Sequence, residues 1–275
     1  MPSSPRTRQR GHIAMHRAHR FAALLVVASI LAPAPLQAAR DVPVVAAASD
    51  LQFALEVVAE AFTAETGQQV RLSFGSTGNL ARQIRAGAPF EVFLSADEQF
   101  VLDLHRDGHT LDAGRLYAVG RLVIVRSGDS KLIADGSLAD LAEALADGRV
   151  SRFAIANPEH APYGMRAREA LQQAGLWEAI QPRLVLGENV SQAAQFAVSG
   201  NADGGLVAWS LTFAPGFMDR ADVALVPESM HAPLRQRMVR VKHAGAVADA
   251  FYEFVAGAAA RDILARYGFV VPGDE

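Results

Sequence analysis

Cysteine is absent from this chain of 275 residues. Without thiols, the chain can have neither a disulfide framework nor a cysteine-based metal site. Basic residues are not in excess either: 26 Lys and Arg face 29 Asp and Glu, a formal charge of -3, which does not indicate a basic nucleic-acid-binding protein. Aromatic residues make up only 7% of the chain, whereas 51% of the residues are hydrophobic. This composition is typical of a globular protein with one large or two medium domains.

Long apolar runs are also missing, with one exception near the N-terminus. Residues 1–20 contain five arginines and no acidic residue, residues 21–36 are almost continuously apolar, and small residues follow at 37–39. This order is typical of a cleavable secretory signal peptide. The apolar run is short for a membrane span, and two prolines interrupt its end. We therefore predict a signal peptide over residues 1–38.

Removal of this segment changes the charge of the remaining chain. It takes away five arginines and no acid, so the 26 basic residues become 21 against 29 acidic ones, a net charge of -8. Met15 is an alternative start, because Arg17 and Arg20 would still precede the apolar run. No cysteine follows that run, so the chain lacks a lipid-attachment motif. We expect an exported, acidic and soluble protein.

From Asp41 onward, strand-like and helix-like segments alternate, which indicates an α/β protein with largely parallel sheets. The predicted strands lie at residues 42–48, 70–74, 91–95, 116–126, 152–156, 184–186, 204–208 and 238–241. The predicted helices lie at residues 51–66, 80–86, 137–147, 164–174, 191–199 and 246–267, the last with a break at Gly257.

The alternation of strands and helices restarts after the long fourth strand. This repetition predicts two similar α/β lobes with a cleft between them. We place the two crossovers near residues 119 and 243. Residues 41–119 and 243–275 then form lobe I, and residues 120–242 form lobe II. Ligands of open α/β sheets bind at the carboxyl ends of strands, so the turns between strands and helices are where a ligand is expected.

Four of these turns combine polar side chains with the start of a helix. They are Ser49-Asp50, Gly75-Ser76-Thr77, Pro162-Tyr163-Gly164 and Asn189-Val190-Ser191. A helix N-terminus presents free backbone N–H groups at the positive end of the helix dipole, which favours anions. None of the four turns contains Lys or Arg. If the turns converge, they form a neutral cage of hydrogen-bond donors for a small anion.

A neutral cage is physically sufficient for an anion, because each hydrogen bond to a charged group contributes roughly 1.5 to 3 kcal/mol. The same residue types are also ordinary helix N-caps, which stabilise a protein by about 1 kcal/mol each. Composition and periodicity therefore predict an exported, two-lobed α/β protein and leave its ligand open.

Several longer motifs occur in a fixed order along the chain. They are AAASD at 46–50, GSTGNLARQIRAG at 75–87, FLSAD at 93–97, NPEHAPYGMRAREAL at 157–171, NADGGLVAWS at 201–210 and RYGF at 266–269. This set resembles the periplasmic molybdate-binding proteins of ABC importers, the ModA family, over nearly the whole chain after the signal peptide. The resemblance implies a type II periplasmic binding protein fold, in which two α/β lobes close on a ligand in the cleft.

The resemblance also implies a set of ligand-binding residues. Ser49 and Ser76 should bind the oxyanion from lobe I through hydroxyl and backbone N–H groups. Tyr163 and Val190 should bind it from lobe II, Val190 through its backbone. Thr77 and Asp50 are adjacent to these residues and can add backbone donors; they complete the predicted site.

Two departures from the family pattern affect this prediction. Some family members have a ligand-binding Tyr in the segment that matches residues 207–209 and a small residue at the position of Tyr163. Here Ala208 is small, so we infer that the hydroxyl has moved to Tyr163, as in a second group of the family. Asp50 is the other departure, because a carboxylate beside a dianion repels it by several kcal/mol. We therefore expect Asp50 to face outward, near the first turn of the following helix.

By resemblance, the protein is a periplasmic solute-binding protein and not an enzyme. It should capture molybdate, close, and deliver the ion to an inner-membrane ABC permease. Tungstate should bind as well, since it has the same charge and shape and nearly the same size. We expect a monomer with no cofactor, no free-cation site and no nucleic-acid partner.

Two alternatives stay open. One is the same fold binding another oxyanion, such as sulfate, or tungstate alone. The other is a secreted serine hydrolase that would use Ser49, Asp50 and His160, although no Gly-x-Ser-x-Gly motif surrounds the serine. His160 is otherwise interpreted as a residue that orders its loop, and a role in sensing the ligand is left open.

Two further groups of residues are set aside. His105 and His109 have the i, i+4 spacing of a metal-binding pair on a helix, but Gly108 argues against a regular helix there. Four arginines follow the predicted binding turns on helices and are expected to form solvent-facing salt bridges. They are Arg82, Arg85, Arg166 and Arg168.

Overall fold

The computed structural model of the chain describes residues 42–272. The predicted signal peptide, residues 1–38, lies outside this range. None of the helices between residues 42 and 272 has both the length and the apolar character needed to cross a membrane.

Strands and helices alternate along the described part of the chain, which confirms the α/β class. The strands are β1 (Val44–Ala48), β2 (Arg71–Gly75), β3 (Phe90–Ser95), β4 (Arg115–Gly120), β5 (Leu122–Ser127), β6 (Phe153–Ala156), β7 (Leu184–Gly187), β8 (Gly204–Ala208), β9 (Ala221–Leu225) and β10 (Leu234–Arg240). The helices are α1 (Gln52–Thr66), α2 (Thr77–Arg85), α3 (Glu98–Arg106), α4 (Ala139–Ala146), α5 (Pro162–Gln173), α6 (Trp177–Ile180), α7 (Val190–Val198), α8 (Ala246–Ala256) and α9 (Ala258–Arg266).

The strands form two five-stranded sheets with the same topology. The first has the order β2-β1-β3-β10-β4, and the second has the order β7-β6-β8-β5-β9. In each sheet three strands are parallel, and the strand beside them runs antiparallel to both of its neighbours. Parallel strands need crossover connections, here helices, and these cover the faces of the sheets. Two such sheets are consistent with the predicted two-lobed type II fold.

The strand predicted over residues 116–126 is in fact two strands in different sheets. β4 ends at Gly120 and β5 begins at Leu122, so the chain first passes between the lobes at Arg121. Apolar residues dominate on both sides of Gly120-Arg121, so the sequence around these two residues predicts one continuous strand.

The second crossover also differs from its predicted position near residue 243. β10 was expected within lobe II, but it forms hydrogen bonds with β3 and β4 in the first sheet. The chain therefore returns between β9 and β10, before the predicted boundary. With this correction, lobe I comprises residues 42–120 and 234–272, and lobe II comprises residues 121–233.

The core of lobe I lies on both faces of the first sheet. Along β1, Val45 and Ala47 belong to one buried cluster and Ala46 to another, as expected for a strand whose side chains alternate between faces. Ala48 and Ala96 are buried in the same cluster as the core of lobe II. The two lobes therefore pack against each other where the carboxyl ends of the first sheet's strands meet lobe II.

Helix α1 shows why the local prediction succeeded. Leu55, Val58 and Phe62 repeat at helical spacing and are all fully buried. Gly67 ends the helix in the left-handed conformation, with φ of 68°, which glycine adopts without steric cost. The predicted break at Gly257 is also confirmed, since this residue has an extended conformation and separates α8 from α9.

Candidate functional site

Two adjacent turns at the end of the first sheet carry the polar residues of lobe I. β1 and β2 are parallel neighbours in which Ala48 pairs with Gly75 at the last position. The next residues along the chain are Ser49, which begins a short 3-10 helix leading into α1, and Ser76, which precedes α2. Because the carboxyl ends of parallel strands meet at one edge of a sheet, the two serines lie side by side.

Lobe II repeats this arrangement with two helix starts of its own. β6 and β7 are parallel neighbours, and Ala156 pairs with Gly187 at their ends. Pro162 is the first residue of α5, where its missing N–H costs nothing, and Tyr163 follows it. Val190 is the first residue of α7, after a cap at Asn189.

All six predicted site residues line one cavity between the lobes. The cavity is small, and its lining is completed by small or apolar residues. Each of the six is buried. No Lys or Arg among the described residues lines this cavity. The structure therefore brings together Ser49, Asp50, Ser76, Thr77, Tyr163 and Val190.

The hydroxyl groups at this cavity are held by hydrogen bonds from the protein. Ser49 Oγ accepts from the Ser191 backbone N–H at 3.3 Å, across the cleft. Thr77 Oγ1 accepts from the Ala96 N–H at 3.1 Å. A hydroxyl that accepts a hydrogen bond keeps its own proton for donation. Both residues are thus ordered without losing the proton that an anion would need.

Asp50 does not face outward, and that expectation is wrong. Asp50 is only 1% exposed, and its Oδ2 accepts a hydrogen bond of 2.5 Å from Gln236 Nε2. Oδ1 has no hydrogen-bond partner among the described residues. Burial raises the pKa of Asp50 from 3.8 to about 6, although the neighbouring side chains of Gln236 and Tyr163 act in the opposite direction. The carboxyl group turns inward because the buried amide of Gln236 binds it there.

Gln236 is a site residue that sequence reasoning missed. It lies on β10, is fully buried, and accepts a 2.7 Å hydrogen bond from the Tyr117 hydroxyl. Its Nε2 also lies 3.4 Å from the Tyr163 hydroxyl. Burial, and then the charge of Asp50, raise the pKa of both tyrosines well above 10, so both phenols stay protonated. The sequence contained one signal for Gln236. It alternates with Leu234 and Met238 on the buried face of β10, where a glutamine needs hydrogen-bond partners.

His160 pairs with Ser76 rather than with Ser49. Its Nδ1 lies 2.8 Å from Ser76 Oγ, whereas the Asp50 carboxyl is bound by Gln236. A serine hydrolase triad needs the acid, the imidazole and the nucleophile in one hydrogen-bonded series. Ser49, Asp50 and His160 do not form that series in this structure.

Arg166 differs from the other arginines that were set aside. Its Nη2 lies 2.6 Å from Asp97 Oδ2, so this salt bridge joins lobe II to lobe I. The two side chains are only 13% and 15% exposed, which contradicts the expected solvent-facing position of Arg166. Arg85 and Arg168 pair with Asp107 and Glu159 at exposed positions. Arg82 donates to the side chain of its neighbour in α2, Asn79.

The two histidines with i, i+4 spacing do not share a helix. α3 ends at Arg106, so His105 lies in its last turn and His109 lies beyond it. His105 Nδ1 is 3.2 Å from the Thr110 hydroxyl. Within residues 42–272, no group of three or more His, Asp or Glu side chains is arranged to hold a metal ion.

Comparison with known proteins identifies similar chains over almost the whole described range. The family model for bacterial extracellular solute-binding protein matches residues 43–270. The molybdate-binding protein ModA of Rhodobacter capsulatus is 36% identical over 251 residues, 90% of this chain and 94% of the relative. ModA of Azotobacter vinelandii is 35% identical over 228 residues, 82% of this chain and 88% of the relative.

Solved structures show the same relationship. The periplasmic molybdate-binding protein of Azotobacter vinelandii matches with a TM-score of 0.76 and 31% identity, covering 84% of this chain and 100% of that chain. The sulfate-binding protein SubI of Mycobacterium tuberculosis H37Rv matches with a TM-score of 0.66 and 19% identity, covering 84% of this chain and 86% of that chain. At that identity the second match indicates a shared fold alone.

Proposed function

We propose, on the premise that this chain belongs to the bacterial extracellular solute-binding protein family, that it captures molybdate in the cavity between its lobes. One observation carries the proposal: four helix starts from two lobes converge on one cavity, and no Lys or Arg of residues 42–272 lines it. The names and the high coverage of the ModA relatives support molybdate as the ligand.

Four residues would hold the oxyanion by direct hydrogen bonds. Ser49 and Ser76 would donate from their hydroxyl groups, and Val190 would donate from its backbone at the positive end of α7. Tyr163 lines the same cavity, and its raised pKa keeps the phenol proton in place for donation. Donors held in position by the protein bind an anion without first having to reorient.

Asp50 would not oppose this binding if it carries a proton. Burial already raises its pKa to about 6, and a dianion in the same cavity would raise it further. The protonated carboxyl is neutral, so it does not repel the ligand. Among the residues that the structure describes, no other charged side chain lines the cavity, which is consistent with this role.

We propose that the protein carries out no reaction on its ligand. The chain would be exported to the periplasm by its signal peptide, would bind molybdate as a monomer, and would present it to an ABC permease in the membrane. Tungstate would bind in the same way. Sulfate is smaller, so donors positioned for molybdate would meet its oxygens at longer distances and with weaker hydrogen bonds.

Calorimetry and thermal unfolding of the secreted protein test this proposal. The full chain is expressed with its signal peptide and purified from the periplasmic fraction, where a mass measurement also tests cleavage near residue 38. Molybdate and tungstate should bind at one site without turnover, and a concentration of 100 times Kd should stabilise the protein by about 2.7 kcal/mol.

The matched control is the double variant Ser49→Ala, Ser76→Ala, which should lose the stabilisation. The proposal is overturned if sulfate raises the melting temperature while neither molybdate nor tungstate does. Inactivation of a turnover activity by a serine-directed reagent would instead support the hydrolase alternative.

A further inference from the structure

His160 reaches from lobe II to the Ser76 turn of lobe I. Its Nδ1 lies 2.8 Å from Ser76 Oγ, and its backbone carbonyl accepts a 2.9 Å hydrogen bond from the Gly78 N–H. Ser76 lines the cavity, and His160 is not among the described residues that line it. His160 therefore contacts a predicted ligand-binding residue without lining the cavity.

The close approach of the two lobes at this point requires a glycine. A Cβ atom at Gly78 would lie 2.7 Å from the His160 carbonyl oxygen, a distance that real Cβ contacts do not show. On the other side of the imidazole, Nε2 lies 3.7 Å from Glu188 Oε2, and Glu188 also accepts a hydrogen bond from the Asn79 amide. The imidazole is therefore bracketed by Ser76 on one side and Glu188 on the other.

Hydrogen bonds that do not involve the His160 side chain already order its loop. The Asn157 side chain accepts from the Glu159 N–H at 3.0 Å, and the Asn157 carbonyl accepts from the N–H groups of His160 and Ala161. These bonds use only the backbone of His160. The imidazole is thus available for a separate role at Ser76.

We propose, resting on the function proposed above, that His160 is a positioning residue that directs the Ser76 hydroxyl toward the oxyanion when the lobes close. A free serine hydroxyl rotates among several directions. When Nδ1–H donates to Ser76 Oγ, the serine proton is left to point into the cavity. Because Ser76 and His160 belong to different lobes, this bond depends on the closed arrangement of the lobes.

The position of this bond predicts which rate constant it controls. A contact made on closure contributes little to the first encounter between the open protein and molybdate. It must be broken before the ion can leave, so its loss should raise the dissociation rate and leave the association rate nearly unchanged. Loss of one well-aimed donor to a charged ligand corresponds to about a tenfold or larger increase in Kd.

Three substitutions test whether His160 positions the Ser76 hydroxyl or only packs against it. His160→Asn keeps a polar group close to the place of Nδ1, His160→Gln extends a polar group toward Glu188, and His160→Ala removes both. Each is made alone and together with Ser76→Ala, with Glu159→Gln, an exposed change in the same loop, as the control. Molybdate affinity is measured by calorimetry, and the dissociation rate is measured by stopped-flow tryptophan fluorescence. Only variants whose unfolding free energy without ligand equals that of the wild type are compared.

The expected results are specific. His160→Ala should raise Kd about tenfold through faster dissociation, His160→Asn should restore most of the affinity, and His160→Gln should not. In the Ser76→Ala background, His160→Ala should add no further loss, because the group it positions is gone.

The inference is overturned if His160→Ala weakens binding equally in both backgrounds, or if His160→Asn is no better than His160→Ala. Wild-type protein that binds no molybdate would overturn the proposed function instead. The two failures are thus distinguishable in one set of titrations.

Discussion

The side-chain amide of Gln236 donates a 2.5 Å hydrogen bond to the carboxyl group of Asp50. The two residues are 186 positions apart in sequence, one on the strand that returns to lobe I and the other at the end of its first strand. Gln236 also lies 3.4 Å from the Tyr163 hydroxyl of lobe II. Gln236 on the returning strand thus contacts a residue of each lobe and keeps Asp50, the acidic residue among the described lining residues, turned inward.

The stability of the ligand-free protein should depend on Asp50 between about pH 4 and pH 6. Its folded pKa, about 6, lies above the ordinary value of 3.8, so the folded state binds the proton more tightly than the unfolded state. The resulting stabilisation is fully present below pH 4 and is lost as the pH rises through 6. A shift of this size corresponds to on the order of 3 kcal/mol.

Urea unfolding at a series of pH values measures this dependence, and Asp50→Asn should flatten it. Asp140→Asn is the control, and its pH dependence should have the opposite direction, because the Arg149 hydrogen bond lowers the pKa of Asp140. The stabilisation from Asp140 should be lost only as the pH falls through its lowered pKa. An unchanged pH profile in Asp50→Asn would contradict the assignment.

Tyr163→Phe should weaken molybdate binding by about tenfold or more, because it removes a donor at the cavity wall. Tyr117→Phe is the matched control: its hydroxyl is also buried and also bonds Gln236, but Tyr117 does not line the cavity. The control should lose about 1 kcal/mol of stability and keep its affinity within about threefold. Calorimetry on both variants makes the comparison, and equal losses of affinity would count against Tyr163 as a ligand-binding residue.

Gly120→Ala should disturb the site from outside the cavity. A Cβ atom there would lie 2.2 Å from the Tyr163 hydroxyl oxygen and 2.9 Å from Gln236 Nε2, so both side chains must move. We expect a loss of about 1–3 kcal/mol in unfolding free energy, together with weaker molybdate binding.

Gly245→Ala is the control for this substitution. The nearest atom to its Cβ is the flexible Glu91 carboxyl oxygen at 3.3 Å, and its stability should stay within about 0.5 kcal/mol of wild type. Chemical denaturation and calorimetry are the measurements. Wild-type affinity in Gly120→Ala would show that Tyr163 can move without consequence.

Arg166→Met should speed the release of molybdate. The Arg166–Asp97 salt bridge joins the two lobes at 2.6 Å, and its loss leaves a largely buried carboxylate without a cation in the closed form. Dissociation should become about fivefold faster, equivalent to about 1 kcal/mol, with a smaller effect on association.

Arg168→Met, on the same helix, provides the comparison. Its exposed partner Glu159 lies in the same lobe at 3.8 Å, so its removal should leave dissociation unchanged. Stopped-flow fluorescence measures both variants. Equal dissociation rates in wild type and Arg166→Met would mean that this ion pair does not hold the lobes together.

Local elements were predictable because each depends on neighbours in sequence. Apolar residues at helical spacing predicted α1, and Gly67 correctly marked its end. The split between β4 and β5 was not predicted, since apolar residues lie on both sides of Gly120-Arg121 and two such residues are also found within single strands. β9, Ala221–Leu225, was missed because it is a short strand at the edge of its sheet with exposed residues.

The sequence alone determined which turns carry hydroxyl groups and helix starts, because those features arise from residues that adjoin one another. Only the tertiary structure decided that Asp50 turns inward, that Gln236 binds it, and that His160 meets Ser76. Each of these contacts joins residues more than 80 positions apart. Their energies depend on burial and on distance in space, which no spacing within one segment reveals.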